Sequence, residues 1–373
     1  MRIACIASCM LPTSTANSIQ VMKVSHALTQ VSDHVCLWVP RSVETSWEKL
    51  SSHYGLTSEF EVRWLQVQRM LKRYDLAINA IRQARDWSAD LVYTWMPQVA
   101  ALALMRKLPV ILEVHDMPTG RIGPRLFSQF VRSSEKKRLL TITHALYEKL
   151  RREYCFDLPE GQIQIAPNGT DMERYADLPE PDEARRQLGL QGGLTIGYTG
   201  HFYSGRGIDL MLKLIPLFPQ ANFLFVGGQP EKVLGWQALL QQNDLRNTHT
   251  TGFIENRHLP LYQAAADILL MPYERSIAGS SGGNSAEICS PMKMFDYMAA
   301  GRAIISSDLP VFHEVLNEKN AVLCPSEDPD AWMQAIADLV ADPERRKKLG
   351  EQARTDAANY TWRKRAEKAL EGF

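Results

Sequence analysis

Short apolar runs rich in valine, isoleucine and aromatic residues alternate along the chain with longer segments whose apolar residues recur at helical spacing. This alternation predicts strand–helix–strand units and parallel sheets, because strands covered by helices on both faces are apolar throughout. The strands predicted in the first half are residues 2–7, 35–39, 62–67, 91–95, 110–114, 139–143 and 163–166. Those predicted in the second half are residues 194–198, 222–226, 249–252, 268–271, 303–306 and 321–324.

The pattern divides into two doubly wound, Rossmann-like α/β domains, which suits a chain of 373 residues. A turn signal at Pro167–Gly169 and an acidic, proline-bearing run at Leu178–Glu183 mark the join. We therefore predict a first domain over 1–178 and a second over 179–360, which face each other across a cleft. The last segment, about 361–373, predicts a helix that crosses back to the first domain.

Lysine plus arginine and aspartate plus glutamate number 42 each, so the overall charge favours no nucleic-acid partner. The first 160 residues hold about 21 basic and 15 acidic side chains, which makes the first domain mildly basic. Its basic clusters at 136–138 and 149–152 predict either a solvated helix face or peripheral contact with an anionic membrane surface.

No apolar run approaches the roughly 18 residues of a spanning helix, and the first residues predict a strand, so we expect a cytoplasmic protein. The six cysteines form no CxxC pair. Neither a zinc site nor a disulfide framework is therefore indicated.

A glycine-rich loop at residues 200–207 follows the first strand of the second domain and precedes a helix predicted to begin near residue 208. Glycines let backbone amides approach a ligand, and the guanidinium of Arg206 can fork onto phosphate oxygens. The loop predicts a diphosphate site, although a plain turn that needs glycine for its backbone angles is an equally good interpretation.

A second helix is predicted over 290–301, with Pro291 near its start and Gly301 at its end. The small, polar residues 278–285 before it predict either a loop that closes over a ligand or a disordered surface loop. Asp296 lies one to two turns into this helix. Its carboxylate could accept hydrogen bonds from ribose hydroxyls, or it could be a solvated helix aspartate.

His115 lies just after the predicted strand 110–114, where doubly wound folds place functional groups. A lone histidine is commonly structural, but Glu113 and Asp116 beside it favour a functional role.

Taken in order, these segments resemble the retaining GT-B glycosyltransferases of family 4, and the likeness extends over nearly the whole chain. Residues 16–23 resemble the first loop and helix of a bacterial subgroup, and Glu113–Asp116 matches its strand-end histidine motif. The other matching segments are 166–171 (a PNGVD-like segment), 200–207 (the donor-phosphate loop), and 290–301 with 306–310 (an SPLK-type donor helix and the following strand end).

The resemblance implies a hexosyltransferase-type enzyme that moves a sugar from a nucleotide-diphosphate donor to an acceptor hydroxyl. It implies that Arg206 contacts the diphosphate, that Lys293 lies at the diphosphate or acceptor edge, and that His115 lies near the transferred sugar. These three are the expected catalytic residues. Asp296 takes the place of the second glutamate of the E-x7-E motif and is expected to bind the ribose. The expected donor-binding residues are Gly200, His201, Arg206, Ser290, Met292, Lys293 and Asp296.

The sequence departs from the family pattern at the first glutamate of the E-x7-E motif. Ile288 stands there, with Glu287 one place away. The usual contact to the donor sugar is therefore expected to be lost, or replaced by Glu287 or the Ser290 loop.

The resemblance further implies front-face attack with retention of anomeric configuration, no cofactor and no metal ion. The Asp-x-Asp sequence at 328–330 is interpreted as a helix cap. The expected partners are a nucleotide sugar and a glycan, lipid-linked or small-molecule acceptor.

The sequence leaves other functions open. A non-catalytic nucleotide-sugar-binding protein and a sugar-nucleotide epimerase on the same fold are both compatible with it. A dinucleotide-dependent dehydrogenase is disfavoured, because no G-x-G-x-x-G follows a predicted strand.

Overall fold

A computed structural model describes residues 1–41, 43–68, 73–202, 204–277 and 284–373. The chain divides into two compact units, Met1–Asn168 with Trp362–Phe373, and Gly169–Thr361. The division falls before the expected join near residue 178. The reason is that Thr170 is buried, pairs with Thr361, and donates its backbone amide to the Tyr360 carbonyl at 2.9 Å.

The first unit contains a parallel sheet in the order β3-β2-β1-β4-β5-β6-β7. Its described strands are β1 (Arg2–Ile6), β2 (His34–Pro40), β3 (Glu61–Leu65), β4 (Leu91–Thr94), β5 (Val110–Val114), β6 (Lys137–Thr141) and β7 (Ile163–Ile165). The described helices between them are α1 (Ala16–Thr29), α2 (Trp47–Tyr54), α3 (Tyr74–Asp86), α4 (Pro97–Met105), α5 (Gly123–Arg132) and α6 (His144–Tyr154). The central strands β4 and β5 are buried along their whole length, as their apolar sequences predict.

The second unit contains a parallel sheet in the order β10-β9-β8-β11-β12-β13. Its described strands are β8 (Thr195–Thr199), β9 (Asn222–Val226), β10 (Thr248–Thr250), β11 (Ile268–Met271), β12 (Ala303–Ser307) and β13 (Val322–Cys324). Its described helices are α7 (Pro181–Leu188), α8 (Ile208–Leu214), α9 (Pro230–Gln242), α10 (Leu259–Ala264), α11 (Met292–Ala300), α12 (Pro329–Ala341) and α13 (Pro343–Ala357). The two doubly wound sheets confirm the predicted α/β class.

An aromatic cluster packs beneath the loop that follows β8. Phe202 stacks on Trp236 with ring centroids 5.6 Å apart, and Phe225 meets Trp236 edge to face at 4.9 Å. Gly228 faces Phe202 so closely that a Cβ at this glycine would lie 2.6 Å from the ring. The buried phenylalanine therefore anchors the β8 loop to the core of the second unit.

The last helix, α14 (Trp362–Leu370), belongs to the first unit, as predicted. Arg138 is buried and donates hydrogen bonds to the carbonyls of Gly161, Ala369 and Glu371, the Ala369 bond being 2.7 Å long. Lys137 is also buried and donates to the Ser133 carbonyl. The prediction that cluster 136–138 faces lipid or solvent is thus wrong for two of its members, because they bind backbone carbonyls.

Among the described residues, no helix combines the length and the apolar character needed to span a bilayer. The Asp-x-Asp sequence is a helix cap, as predicted. The Oδ1 atom of Asp328 accepts from the amides of Asp330 and Ala331, each at 3.1 Å, at the start of α12.

Candidate active site

The loop after β8 turns at Gly200, whose φ of +140° lies in a region that glycine tolerates best. Its amide donates to the Val226 carbonyl at 2.8 Å, which ties the loop to β9. A Cβ at Gly200 would lie 2.7 Å from the Nζ atom of Lys293. The predicted phosphate loop and the predicted donor helix therefore meet at this glycine.

The second half of the loop is pressed against the segment that follows β11. Gly207 has a φ of +70°, and a Cβ there would lie 2.2 Å from the Pro272 carbonyl oxygen. Its amide donates to the Glu274 carboxylate at 3.2 Å. Only glycine fits this close backbone approach, which fixes the position of the neighbouring Arg206.

Two cationic side chains converge on one aromatic ring. The guanidinium carbon of Arg206 lies 4.4 Å from the ring centroid of Tyr273, and the Nζ atom of Lys293 lies 5.5 Å from the same centroid. Lys293 Nζ also lies 4.0 Å above the ring of Tyr198. All three contacts have cation–π geometry, in which the electron-rich ring face attracts the positive charge.

The ammonium of Lys293 is buried and makes no hydrogen bond within the part of the chain that the structure describes. Burial, and then the nearby charge of Arg206, hold the pKa of Lys293 well below its usual range. Buried ammonium groups normally have hydrogen-bond partners. An anion bound beside Lys293 would supply the missing acceptor.

Asp296 lies one turn after Lys293 on α11. Its Oδ1 atom accepts a hydrogen bond from the Thr170 hydroxyl at 3.0 Å. Burial and then the charge of Asp296 raise the pKa of Tyr175. The Asp296 carboxylate is therefore held by the segment that follows Asn168, which the sequence showed as a turn signal but did not connect with α11.

The other residues predicted to bind the donor are close to these groups in the sequence. His201 is half-buried, and its carbonyl accepts from the Tyr198 hydroxyl at 2.9 Å. Ser290 is buried and Met292 is partly buried, on either side of Pro291, the N-cap residue of α11.

The position of the missing first glutamate is apolar. Ile288 is buried, whereas Glu287 is exposed. Burial raises the pKa of the adjacent Cys289 thiol to about 12, against the opposing charge of Arg206. Of the small, polar loop 278–285, residues 278–283 lie outside the described residues, and the side chain of Asn284 accepts from the Ile277 amide at 2.9 Å.

His115 lies in the first unit, directly after β5. Its Nε2 atom is 2.6 Å from Oε1 of Glu113, whose side chain is completely buried. The same Oε1 accepts from Arg365 Nη2 at 2.6 Å, and Tyr93 donates to Oε2. Arg365 and Tyr93 were missed from the sequence, since neither belongs to a local motif around His115.

The structure thus brings Gly200, Arg206 and Lys293 together, and places Asp296 on the same helix as Lys293. His115 belongs to the other unit and has its own buried network. The roles of these residues toward a substrate stay predictions.

Solved structures with this architecture are glycosyltransferases of the GT-B fold. Sucrose-phosphate synthase from Thermosynechococcus elongatus superimposes with a TM-score of 0.74 at 16% identity, over 100% of this chain and 98% of that one. HepE from Anabaena, solved in complex with UDP-glucose, gives a TM-score of 0.73 at 14% identity, over 100% and 98% of the two chains.

Family models match both halves of the chain. Residues 19–174 match Glycosyltransferase Family 4 and residues 193–342 match Glycosyl transferases group 1. A phosphatidyl-myo-inositol mannosyltransferase from Mycolicibacterium smegmatis is 25% identical over 75% of this chain and 71% of that protein. The chain belongs to the family 4 glycosyltransferases, as the sequence motifs indicated.

Proposed function

We propose that this chain transfers a hexose from a nucleoside-diphosphate sugar to an acceptor hydroxyl, with retention of anomeric configuration and without a metal ion or other cofactor. The observation that carries the proposal is the buried ammonium of Lys293. This ammonium makes no hydrogen bond in the described part of the chain, and it lies near the charge of Arg206. A diphosphate supplies the acceptor oxygens and the negative charge that this pair requires.

When the glycosidic bond of a nucleotide sugar breaks, negative charge develops on the diphosphate oxygens. In the proposed mechanism Arg206 and Lys293 stabilise that charge, a task that a bound cation performs in other transferases. Their fixed positions over Tyr198 and Tyr273 support this role, because preorganised charges need no reorganisation as the reaction proceeds.

Asp296 is proposed to bind the ribose of the donor. A carboxylate has about four lone-pair sites for hydrogen bonds, and the Thr170 hydroxyl uses one of them on Oδ1. The backbone around Gly200 and His201 is proposed to contact the diphosphate, with Ser290 and Met292 beside it at the start of α11.

Retention is proposed to arise from attack on the face that the diphosphate leaves, with a diphosphate oxygen accepting the proton of the acceptor hydroxyl. His115 is proposed to contact the transferred sugar. The HepE complex with UDP-glucose supports a UDP-sugar as the first donor to test. The mannosyltransferase relative supports a lipid-linked or polyol acceptor.

The test is calorimetric titration with UDP, GDP and their sugars, followed by a transfer assay. Wild-type protein is expected to bind one nucleoside diphosphate, whereas Lys293→Met is expected to bind it about 10- to 100-fold more weakly, because a charged hydrogen bond contributes about 1.5–3 kcal/mol. Lys213, exposed on α8, provides the control variant Lys213→Met, which is expected to bind normally.

The transfer assay decides the finer points. Nuclear magnetic resonance of the product is expected to show the anomeric configuration of the donor, and activity is expected to persist in EDTA. An inverted product would contradict retention, and loss of activity in EDTA that Mg²⁺ restores would contradict metal independence. Binding without turnover on any acceptor would favour the non-catalytic alternative.

A further inference from the structure

The Glu113 carboxylate lies at the centre of a buried network built from four elements of the first unit. Gln20 from α1 donates to its Oε1 atom at 2.5 Å, Tyr93 from β4 donates to Oε2, and Arg365 from α14 donates to Oε1 at 2.6 Å. The remaining contact is His115 Nε2 at 2.6 Å. Gln20, Tyr93 and Arg365 are each the donor in their hydrogen bond to the carboxylate.

This arrangement fixes the position of the proton on the His115 ring. Burial raises the pKa of Glu113, but the charge of Arg365 at hydrogen-bond distance lowers it, and the carboxylate is ionised and only accepts hydrogen bonds. The Nε2 atom of His115 must therefore carry a proton. In the neutral ring Nδ1 is then the acceptor, on a side chain that remains 28% exposed.

Arg365 has a second effect on the histidine. A lone buried carboxylate would strongly favour the imidazolium form, since an opposite charge at hydrogen-bond distance stabilises a cation. The Arg365 guanidinium compensates the carboxylate charge instead, and it is itself fixed by the Pro167 carbonyl at 3.0 Å and the Tyr93 hydroxyl at 3.2 Å. Arg365 thereby holds Glu113 in the position from which it orients the histidine.

We propose that Glu113 and Arg365 are positioning residues for His115, which present Nδ1 as a hydrogen-bond acceptor to a hydroxyl of the transferred sugar. The contact with the sugar rests on the proposed function, whereas the tautomer does not. Through Arg365, helix α14 would help to position His115, although Arg365 is 252 residues along the chain from the carboxylate that it binds.

The first test is the ¹⁵N spectrum of the histidine side chains, with the His115 signals assigned through His115→Asn. Wild-type protein is expected to show His115 with the proton on Nε2. Arg365→Met is expected to increase the imidazolium fraction at the same pH, whereas Arg365→Lys, which retains the positive charge, is expected to leave it near the wild-type level.

His313 is the internal control, because its Nε2 atom lies 2.5 Å from Asp308 Oδ1 with both side chains about half exposed. Its signals are expected to be unaffected in both Arg365 variants. A wild-type His115 that carries its proton on Nδ1 would overturn the proposal, as would an imidazolium fraction unchanged in Arg365→Met. The wild-type spectrum alone tests the tautomer. The proposal can therefore be refuted even if a variant fails to fold.

The second test separates this proposal from the proposed function. Arg365→Met is expected to lower kcat/KM for transfer by about tenfold or more, as misplacing a catalytic group does, and to leave the Kd for the nucleoside diphosphate within about twofold of wild type. Partial recovery of kcat/KM in Arg365→Lys is expected. Unchanged kcat/KM in Arg365→Met would overturn the positioning role. Absence of transfer by the wild-type enzyme with every donor would refute the proposed function and the sugar contact, while the spectrum would still decide the tautomer.

Discussion

Replacement of Lys293 by methionine is expected to stabilise the free protein while it weakens donor binding. The ammonium is buried without a hydrogen bond in the described residues and stands near a second cation, Arg206. Methionine keeps a similar length and fits irregular apolar space. It therefore retains the contact with Tyr198 and removes a buried charge.

The magnitude follows from the contacts of the ammonium. A buried donor without a partner costs about 1–3 kcal/mol, and more when charged, while the cation–π contact at 4.0 Å from Tyr198 offsets about 0.5–2 kcal/mol. A net gain of about 1 kcal/mol is expected for Lys293→Met. In a unit the size of Gly169–Thr361 each kcal/mol raises Tm by about 2–4 °C.

Ligand binding is expected to reverse the order of the two proteins. At 100 times its Kd, a nucleoside diphosphate stabilises wild type by about 2.7 kcal/mol. With binding weakened about 10- to 100-fold, the same concentration stabilises Lys293→Met by only about 0.4–1.4 kcal/mol.

The pH dependence gives an independent check with a defined sign. The folded pKa of Lys293 lies below the ordinary value of 10.5, so between these two values the unfolded chain binds the extra proton. Wild-type stability should therefore rise with pH in that window. Lys293→Met should lack this contribution, and Lys213→Met should retain it.

Denaturant unfolding across pH, with and without ligand, measures all three effects. A free Lys293→Met protein less stable than wild type, with an unchanged ligand response, would refute the reasoning, because the ammonium would then be a structural group.

Three further predictions test the loop, the guanidinium and the helix cap. Gly207→Ala should lower the free energy of unfolding by more than the roughly 1–3 kcal/mol of backbone strain and should weaken donor binding, because its Cβ would meet the Pro272 carbonyl. Gly189→Ala has a similar φ and no atom within 4 Å of its Cβ, so it should cost only the strain. Urea unfolding measures both changes. Arg206→Ala should weaken nucleoside diphosphate binding about 10- to 100-fold in calorimetry. An unchanged Kd would show that Arg206 does not contact the nucleotide. Asp328→Ala should cost about 0.5–2 kcal/mol without altering that Kd, since it only caps α12.

The fold was predictable because parallel strands carry their signal locally. Every predicted strand is present, and its ends differ by at most about two residues, since apolar runs bounded by turn residues mark both ends. The domain join was less predictable. The segment from Gly169 to Leu178 looked like an end of the first domain, but the pairing of Thr170 with Thr361 attaches it to the second unit.

The candidate site was predictable where its parts are local motifs. Gly200 and Arg206 were identified from the glycine-rich loop and Lys293 from the family resemblance of the following donor-helix motif, and the structure brings the three together. The rings of Tyr198 and Tyr273 that hold the two cations were not predicted, because each is an ordinary apolar strand-end residue in the sequence. Only the folded structure shows that these two rings contact the side chains of Arg206 and Lys293.

Glu113 in the first unit and Lys293 in the second both carry ionisable groups that are buried, but their surroundings differ. This contrast distinguishes a structural charge from one in the candidate site. Glu113 is fully buried, and arginine, histidine, tyrosine and glutamine side chains satisfy it, so its charge is compensated before any substrate arrives. The Nζ atom of Lys293 is buried near the charge of Arg206, and this Nζ atom makes no hydrogen bond in the described residues. Under the proposed function, the donor diphosphate would compensate its charge. Removing a partner of Glu113 should therefore destabilise the free protein, whereas removing Lys293 should stabilise it. The sign of the stability change, measured without ligand, thus distinguishes a charge that stabilises the fold from one proposed to bind the donor.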